Sequence, residues 1–164
     1  MKAGFARVSI TPPLGTPMMG FGGRDREKGC TGVHDDVSVR AAYLEHAGEA
    51  ALLMGFDLCF VGRADSDRMK AAIGKKLGLA PKQILLNASH NHVGPMVGTW
   101  YDAHPSPAYL KLLDEAVLKA AVQAKEKARE VTAWAGATKS AVPMNRRRKD
   151  ERGVVENRPN PGGV

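Results

Sequence analysis

The chain has 164 residues, 43% hydrophobic and 25% charged, with a formal charge of +7, which is the composition of one ordinary globular domain. Its basic residues are scattered apart from Arg146-Arg147-Arg148-Lys149, and no aromatic platform accompanies them, so the charge makes no case for specific nucleic-acid binding. No run is long and apolar enough to span a bilayer, and no secretory apolar segment follows Met1-Lys2, so the chain as given reads as cytoplasmic.

Ala3 to Ile10 alternates weakly and predicts a first strand, closed by Thr11-Pro12-Pro13. Leu14 to Thr31 follows as a long loop rich in Gly and Met, a length that usually signals function or mobility. Val37 to His46 and Ala50 to Phe56 predict a hairpin across Ala47-Gly48-Glu49, with Val37, Val39, Ala41 and Tyr43 on one face. Asp65 to Leu77 predicts a helix whose inward side is Met69, Ala72, Ile73 and Leu77, stopped by Gly78. Gln83 to Asn87 reads as a strand. A longer helix, Pro107 to Arg129, starts from Ser106 as N-cap with Pro107 in the first turn. Val131 to Ala137 reads as a last strand.

The order β-ββ-α-β-α-β predicts an α/β fold, a mixed sheet covered by two main helices. Residues 143–164 are polar and rich in Arg, Pro and Gly. They read either as a disordered tail or as the passage out of an α/β part (1–142) into the remainder of a larger domain, which is the favoured expectation.

The densest chemistry lies in Ser89-His90-Asn91-His92-Val93-Gly94-Pro95, directly after the apolar Ile84-Leu85-Leu86. Alternation along a strand end would point His90 and His92 the same way, and Gly94-Pro95 would turn the chain aside. Two imidazoles at the lip of a sheet suit a metal or catalytic site; the plainer alternative is that one of them caps the turn. A catalytic zinc needs about three protein ligands and one open position. His34, His46, His104, Asp35, Asp36 and Asp57 are the candidates to complete a set. Asp57, at the end of the Ala51–Phe56 run, is the best of them, either as a carboxylate orienting a ligating imidazole or as a cap for the next segment. Cys30 and Cys59 lack CxxC spacing and read as two reduced thiols, with a single bridge as the alternative. Arg146 could clamp an anionic or carbonyl oxygen, although a basic run is more often a solvated face.

Taken in order, several segments resemble the N-terminal catalytic part of the neutral/alkaline non-lysosomal ceramidases. They are Ala6-Arg7-Val8-Ser9-Ile10-Thr11-Pro12, Met18-Met19-Gly20-Phe21, Gly32-Val33-His34, Phe56-Asp57-Leu58-Cys59, Ala88 through Pro95, Asn145-Arg146 and Asn160-Pro161. Asn91 and Val93 stand where that family has small hydroxyl residues. The resemblance implies a zinc-dependent amidase that hydrolyses the N-acyl bond of a lipid-like small molecule. It implies His90 as a zinc ligand, His92 near the reacting carbonyl, Arg146 as an active-site arginine and Asn145 beside it at the substrate. It also implies that the remaining zinc ligands, a histidine, a glutamate and a tyrosine, lie beyond Val164. Two other readings stay open: a non-catalytic binding or assembly module that uses its basic tail, and a metal-dependent phosphoesterase.

Overall fold

A computed structural model describes residues 1–25, 28–99, 104–140 and 142–162. The chain divides into two compact units, Met1–Thr132 and Ala133–Val164. The first contains a five-stranded sheet in the order β4-β3-β2-β1-β5, built from β1 (Lys2–Ser9), β2 (Ser38–His46), β3 (Glu49–Phe56), β4 (Ile84–Ala88) and β5 (Arg129–Glu130). β1, β2 and β3 pair antiparallel in sequence, β5 adds antiparallel to β1, and β4 adds parallel to β3. The sheet is therefore mixed, and it carries the helices α1 (Arg63–Leu77) and α2 (Pro107–Glu126).

Local chemistry explains most of these elements. The β2–β3 connection is a two-residue loop in which Ala47 and Gly48 have φ of 50° and 82°, the double positive φ that matches the right-handed twist of a hairpin. A parallel partner for β3 cannot be reached by a tight turn, so the chain crosses over through α1 before laying down β4. α1 ends at Gly78, whose φ of 73° lets its N–H bond the Gly74 carbonyl. Ser106 caps α2 by accepting from the Tyr109 N–H at 3.4 Å, with Pro107 in the first turn.

The core forms where the alternating sheet face meets the helical stripes. Val39, Ala41, Tyr43, Leu52, Met54, Phe56 and Ile84 are buried against Met69, Ile73 and Leu77 of α1 and Leu113, Val117, Ala120, Ala121 and Ala124 of α2. The small residues at the end of α2 let its backbone approach β1 closely at Gly4. Tyr109 donates its buried hydroxyl to the Ile10 carbonyl at 3.0 Å and so ties the start of α2 to the end of β1. Arg68 joins the helices, bonding Asp65 at 2.7 Å and Asp114 at 2.9 Å, and those carboxylates hold its guanidinium above its ordinary pKa. The opposite sheet face leaves Phe5, Leu53 and Leu85 exposed.

Three expectations change. The helix predicted to Arg129 stops at Glu126, and the strand predicted over Val131–Ala137 is replaced by the two-residue β5. β5 runs antiparallel to β1 toward that strand's own beginning: Glu130 pairs Lys2 and Val131 bonds the Met1 carbonyl, where its register with β1 ends. Ala72, placed inward by its spacing, is exposed. The second unit holds a small antiparallel pair, β6 (Arg147–Lys149) and β7 (Val155–Asn157), closed by Asn160 bonding the Asn145 and Arg147 carbonyls at 2.7 and 2.8 Å. Among the described residues, no helix is long and apolar enough to cross a membrane.

Candidate metal centre

β3 and β4 are parallel and end together at the Phe56–Ala88 pair, so the two segments that follow leave the sheet side by side. Ser89 bonds the Phe56 carbonyl at 2.9 Å and Asn91 bonds the Leu58 carbonyl at 3.1 Å. This prolongs the pairing just far enough to lay His90 beside Cys59. The carboxyl ends of parallel strands are where such sheets commonly place their sites.

His90 does not sit on a prolonged strand. Its φ is 60°, a left-handed conformation that a side chain adopts only under constraint, so strand alternation is not what pairs the two imidazoles. That turn brings His90 Nδ1 to 3.0 Å from the Cys59 carbonyl and 3.7 Å from Cys59 Sγ. A carbonyl can only accept, so Nδ1 carries the proton and the lone pair is left on Nε2. His90 Nε2 stands 3.1 Å from Nε2 of His92, with the rings edge to face.

His92 is held from the long loop. Gly20 has φ of 120° and packs so closely that a Cβ there would sit 2.5 Å from the His92 Cα and Cβ. Phe21 meets the His92 ring edge-on at 5.5 Å between centroids. Arg24 stacks over Phe21 and donates to the carbonyls of Met19 at 3.3 Å and His92 at 3.2 Å. Met19 bonds the Gly94 carbonyl, and Met96 bonds that of Pro17, so the loop and the histidine segment are laced together. Underneath, Met19, Cys59 and Met96 form a small separate core with Phe60 against it.

The ligand atoms of Cys59, His90 and His92 all lie within 4.8 Å of one another. Burial pushes the Cys59 thiol up from its ordinary pKa. The donor set fits a borderline-soft ion such as zinc: an imidazole oriented through its other nitrogen, a second imidazole beside it, and a sulfur.

The other residues singled out in the sequence fall elsewhere. Asp57 accepts from the Ser38 N–H at 3.0 Å, the Ser38 hydroxyl at 2.9 Å and Arg40 at 2.8 Å. Burial alone would raise its pKa, but the bonds from Arg40 and Ser38 outweigh that and hold it below the ordinary carboxylate range. It braces β2 against the end of β3, and the group that orients His90 is the Cys59 carbonyl. His34 is exposed and pairs with Asp35 at 2.7 Å, Asp36 accepts from Thr11, and His46 is exposed at the end of β2. His104 Nδ1 lies 3.4 Å from the Thr99 hydroxyl. Cys30 and Cys59 are both buried and free. Asn145 and Arg146 belong to the second unit, where Asn145 accepts from the Arg147 N–H at 2.7 Å and Arg146 is exposed. Beside the histidine segment, Arg24, Asp36, Asp57, Asn91 and Val93 border a cleft of about 840 Å³.

No family model matches the chain, and no curated protein sequence matches it. Solved structures do. Neutral ceramidase from Pseudomonas aeruginosa superposes with a TM-score of 0.68 at 20% identity, over 78% of this chain and 22% of its own. A ceramidase complexed with C2 gives the same TM-score and identity, over 78% of this chain and 21% of its own. The fold is ceramidase-like. The chain spans about a fifth of the length of these structures.

Proposed function

We propose that the chain is the N-terminal part of a zinc-dependent amidohydrolase that hydrolyses the N-acyl bond of a ceramide-like lipid. The observation that carries this reading is the imidazole pair at the ends of the parallel strands, within a ceramidase-like fold. His90 holds the ion through Nε2, because its Nδ1 is committed to the Cys59 carbonyl. When bound, zinc supplies Lewis acidity to polarise an amide carbonyl and acidifies a water to near neutrality. His92, fixed by Gly20, Phe21 and Arg24, presents Nε2 to the substrate's reacting carbonyl and can pass a proton there. Arg146 is assigned to a substrate oxygen and Asn145 to the substrate beside it, both on the sequence resemblance. Sphingolipid metabolism is then the setting, and the partner is a small N-acyl amide rather than a nucleic acid.

The experiment is metal analysis of the purified chain beside His90→Ala, after zinc is added and excess removed, followed by fatty-acid release from a ceramide probe. Zinc near one per chain, lost in the variant, is the expected result, with amide turnover, lost in His92→Ala, expected only when the chain is tested together with the rest of the catalytic domain. Bound zinc with turnover of phosphate esters but not amides would favour the phosphoesterase reading. Absence of retained zinc in both proteins would mean that this chain alone is not a catalytic unit.

A further inference from the structure

We infer that the bare face of the five-stranded sheet is a docking surface for an amphipathic helix with carboxylates along one edge, supplied by the remainder of the catalytic domain. This rests on the reading of the chain as one part of a larger amidohydrolase. Both helices pack on the face that carries Leu52, Met54 and Ile84. On the other face the strand registers set the side chains in rows. Phe5 stands opposite Ala42, Ala42 opposite Leu53, and Leu53 beside Leu85, an apolar row across β1, β2, β3 and β4. Phe5, Leu53 and Leu85 are 63%, 41% and 58% exposed. Two residues along each strand, Arg7, Arg40, Gly55 and Asn87 form a polar row beside it. The small Ala42 and Gly55 leave an open groove of about 720 Å³, with Lys127 at its border. A contiguous apolar row rimmed by polar groups marks an interaction surface. Sheets built on parallel pairing, as β3 with β4, characteristically carry helices on both faces, so a helix is the shape that fits. The charges set its composition. Arg40 is bonded to Asp57 at 2.8 Å, but among the described residues no carboxylate pairs with Arg7 or Lys127. A second copy of this chain, at a net charge of +7, would set that cationic border against another like it, whereas an acidic edge complements it. The ceramidase structures that share the fold have about four-fifths of their length outside the matched part, ample for a covering layer.

The test places a thiol in the apolar row. Cys30 and Cys59 are buried, so Leu53→Cys and, independently, Leu85→Cys each offer one exposed sulfur. A maleimide probe should label both readily in the 164-residue chain, and at least about tenfold more slowly when the chain is joined to the rest of the catalytic domain. Leu53→Asp and Arg7→Glu should leave the denaturant midpoint of the 164-residue chain unchanged and lower that of the full domain, the Arg7→Glu loss shrinking in high salt. Equal labelling in the two proteins would overturn the docking surface, and a full domain that still held zinc and hydrolysed amide would keep the proposed function without it. Protection in a full domain that releases no fatty acid would keep the docking surface and remove the amidohydrolase reading. Protection without any effect of Arg7→Glu would overturn the acidic edge. Protection of the 164-residue chain on raising its own concentration would assign the face to a second copy, and protection by phosphatidylglycerol vesicles would assign it to a lipid surface; either would overturn the helix.

Discussion

Gly20→Ala tests how the site is positioned, because the change is one methyl group on a residue that bears no ligand atom. At φ of 120° the backbone is one that side chains rarely adopt, and the added Cβ would lie 2.5 Å from two atoms of His92 and 2.7 Å from a third. The strain costs about 1–3 kcal/mol. Relieving the overlap requires His92 to retreat by about 1 Å to reach ordinary contact, and overpacking of that size costs about 1–3 kcal/mol more. The same displacement separates Nε2 of His92 from its counterpart on His90, now 3.1 Å away. Denaturant midpoints should therefore fall by an amount matching about 2–6 kcal/mol, and zinc or cobalt affinity should drop by about 10–100-fold. Two controls divide the causes. Gly15 has φ of 82° with nothing within 4 Å of an added Cβ, so Gly15→Ala should lose about 1–2 kcal/mol from strain alone and bind metal normally. Gly22 has neither feature, and its alanine variant should match the parent within about 0.5 kcal/mol. Wild-type metal affinity in Gly20→Ala, or equal weakening in Gly15→Ala, would refute the account of how His92 is placed.

Tyr109→Phe removes the hydroxyl that satisfies the Ile10 carbonyl inside the core and should cost about 1–3 kcal/mol in urea unfolding, with metal affinity unchanged. Leu113→Ala empties a fully buried position between sheet and helix and should cost about 2–5 kcal/mol by the same measurement. Asp57 has a lowered pKa in the folded chain, so its stabilising contribution is complete above the usual carboxylate range, near pH 4, and fades as pH falls through the depressed value. The stability gap between the parent and Asp57→Asn should accordingly be widest near neutrality and close in acid; a gap that widened in acid would contradict the bonding assigned to that carboxylate.

Elements with local signals were legible in the sequence. Ser106-Pro107 begins α2, Gly78 ends α1, and Ala47-Gly48 turns the hairpin, each because the backbone requirement is met by the residue at that position. His90 and His92 were legible as a pair, but for a different reason from the one that operates, since left-handed φ at His90 replaces strand alternation. Cys59 carried no spacing signal. Its nearness to His90 depends on the parallel register of β3 with β4, which is set by packing around α1. A clue existed in that Cys59 and His90 each follow closely on an apolar strand, so a parallel pairing of those strands would have brought them together. Gly20 was hidden likewise, because its purpose lies in a residue 72 positions later. The segment after Glu130 alternates well enough for a strand, but pairing needs a neighbour as well as a pattern, and β1 has run out there.

The lacing between the long loop and the histidine segment bears on when the site comes into being. Arg24 and His92 are 68 residues apart, whereas β2 and β3 meet across a two-residue turn. Closing long loops costs chain entropy before the contacts repay it, so the hairpin can form early while the imidazoles are brought to bear only near the end of folding. The same order in reverse governs opening. The amides of Met19 and Met96, bonded to Gly94 and Pro17, should exchange with solvent through local release, while those of β2 wait for the whole unit to unfold. A population of folded chains with an unassembled centre follows, and metal, by binding only the laced form, would draw that population closed.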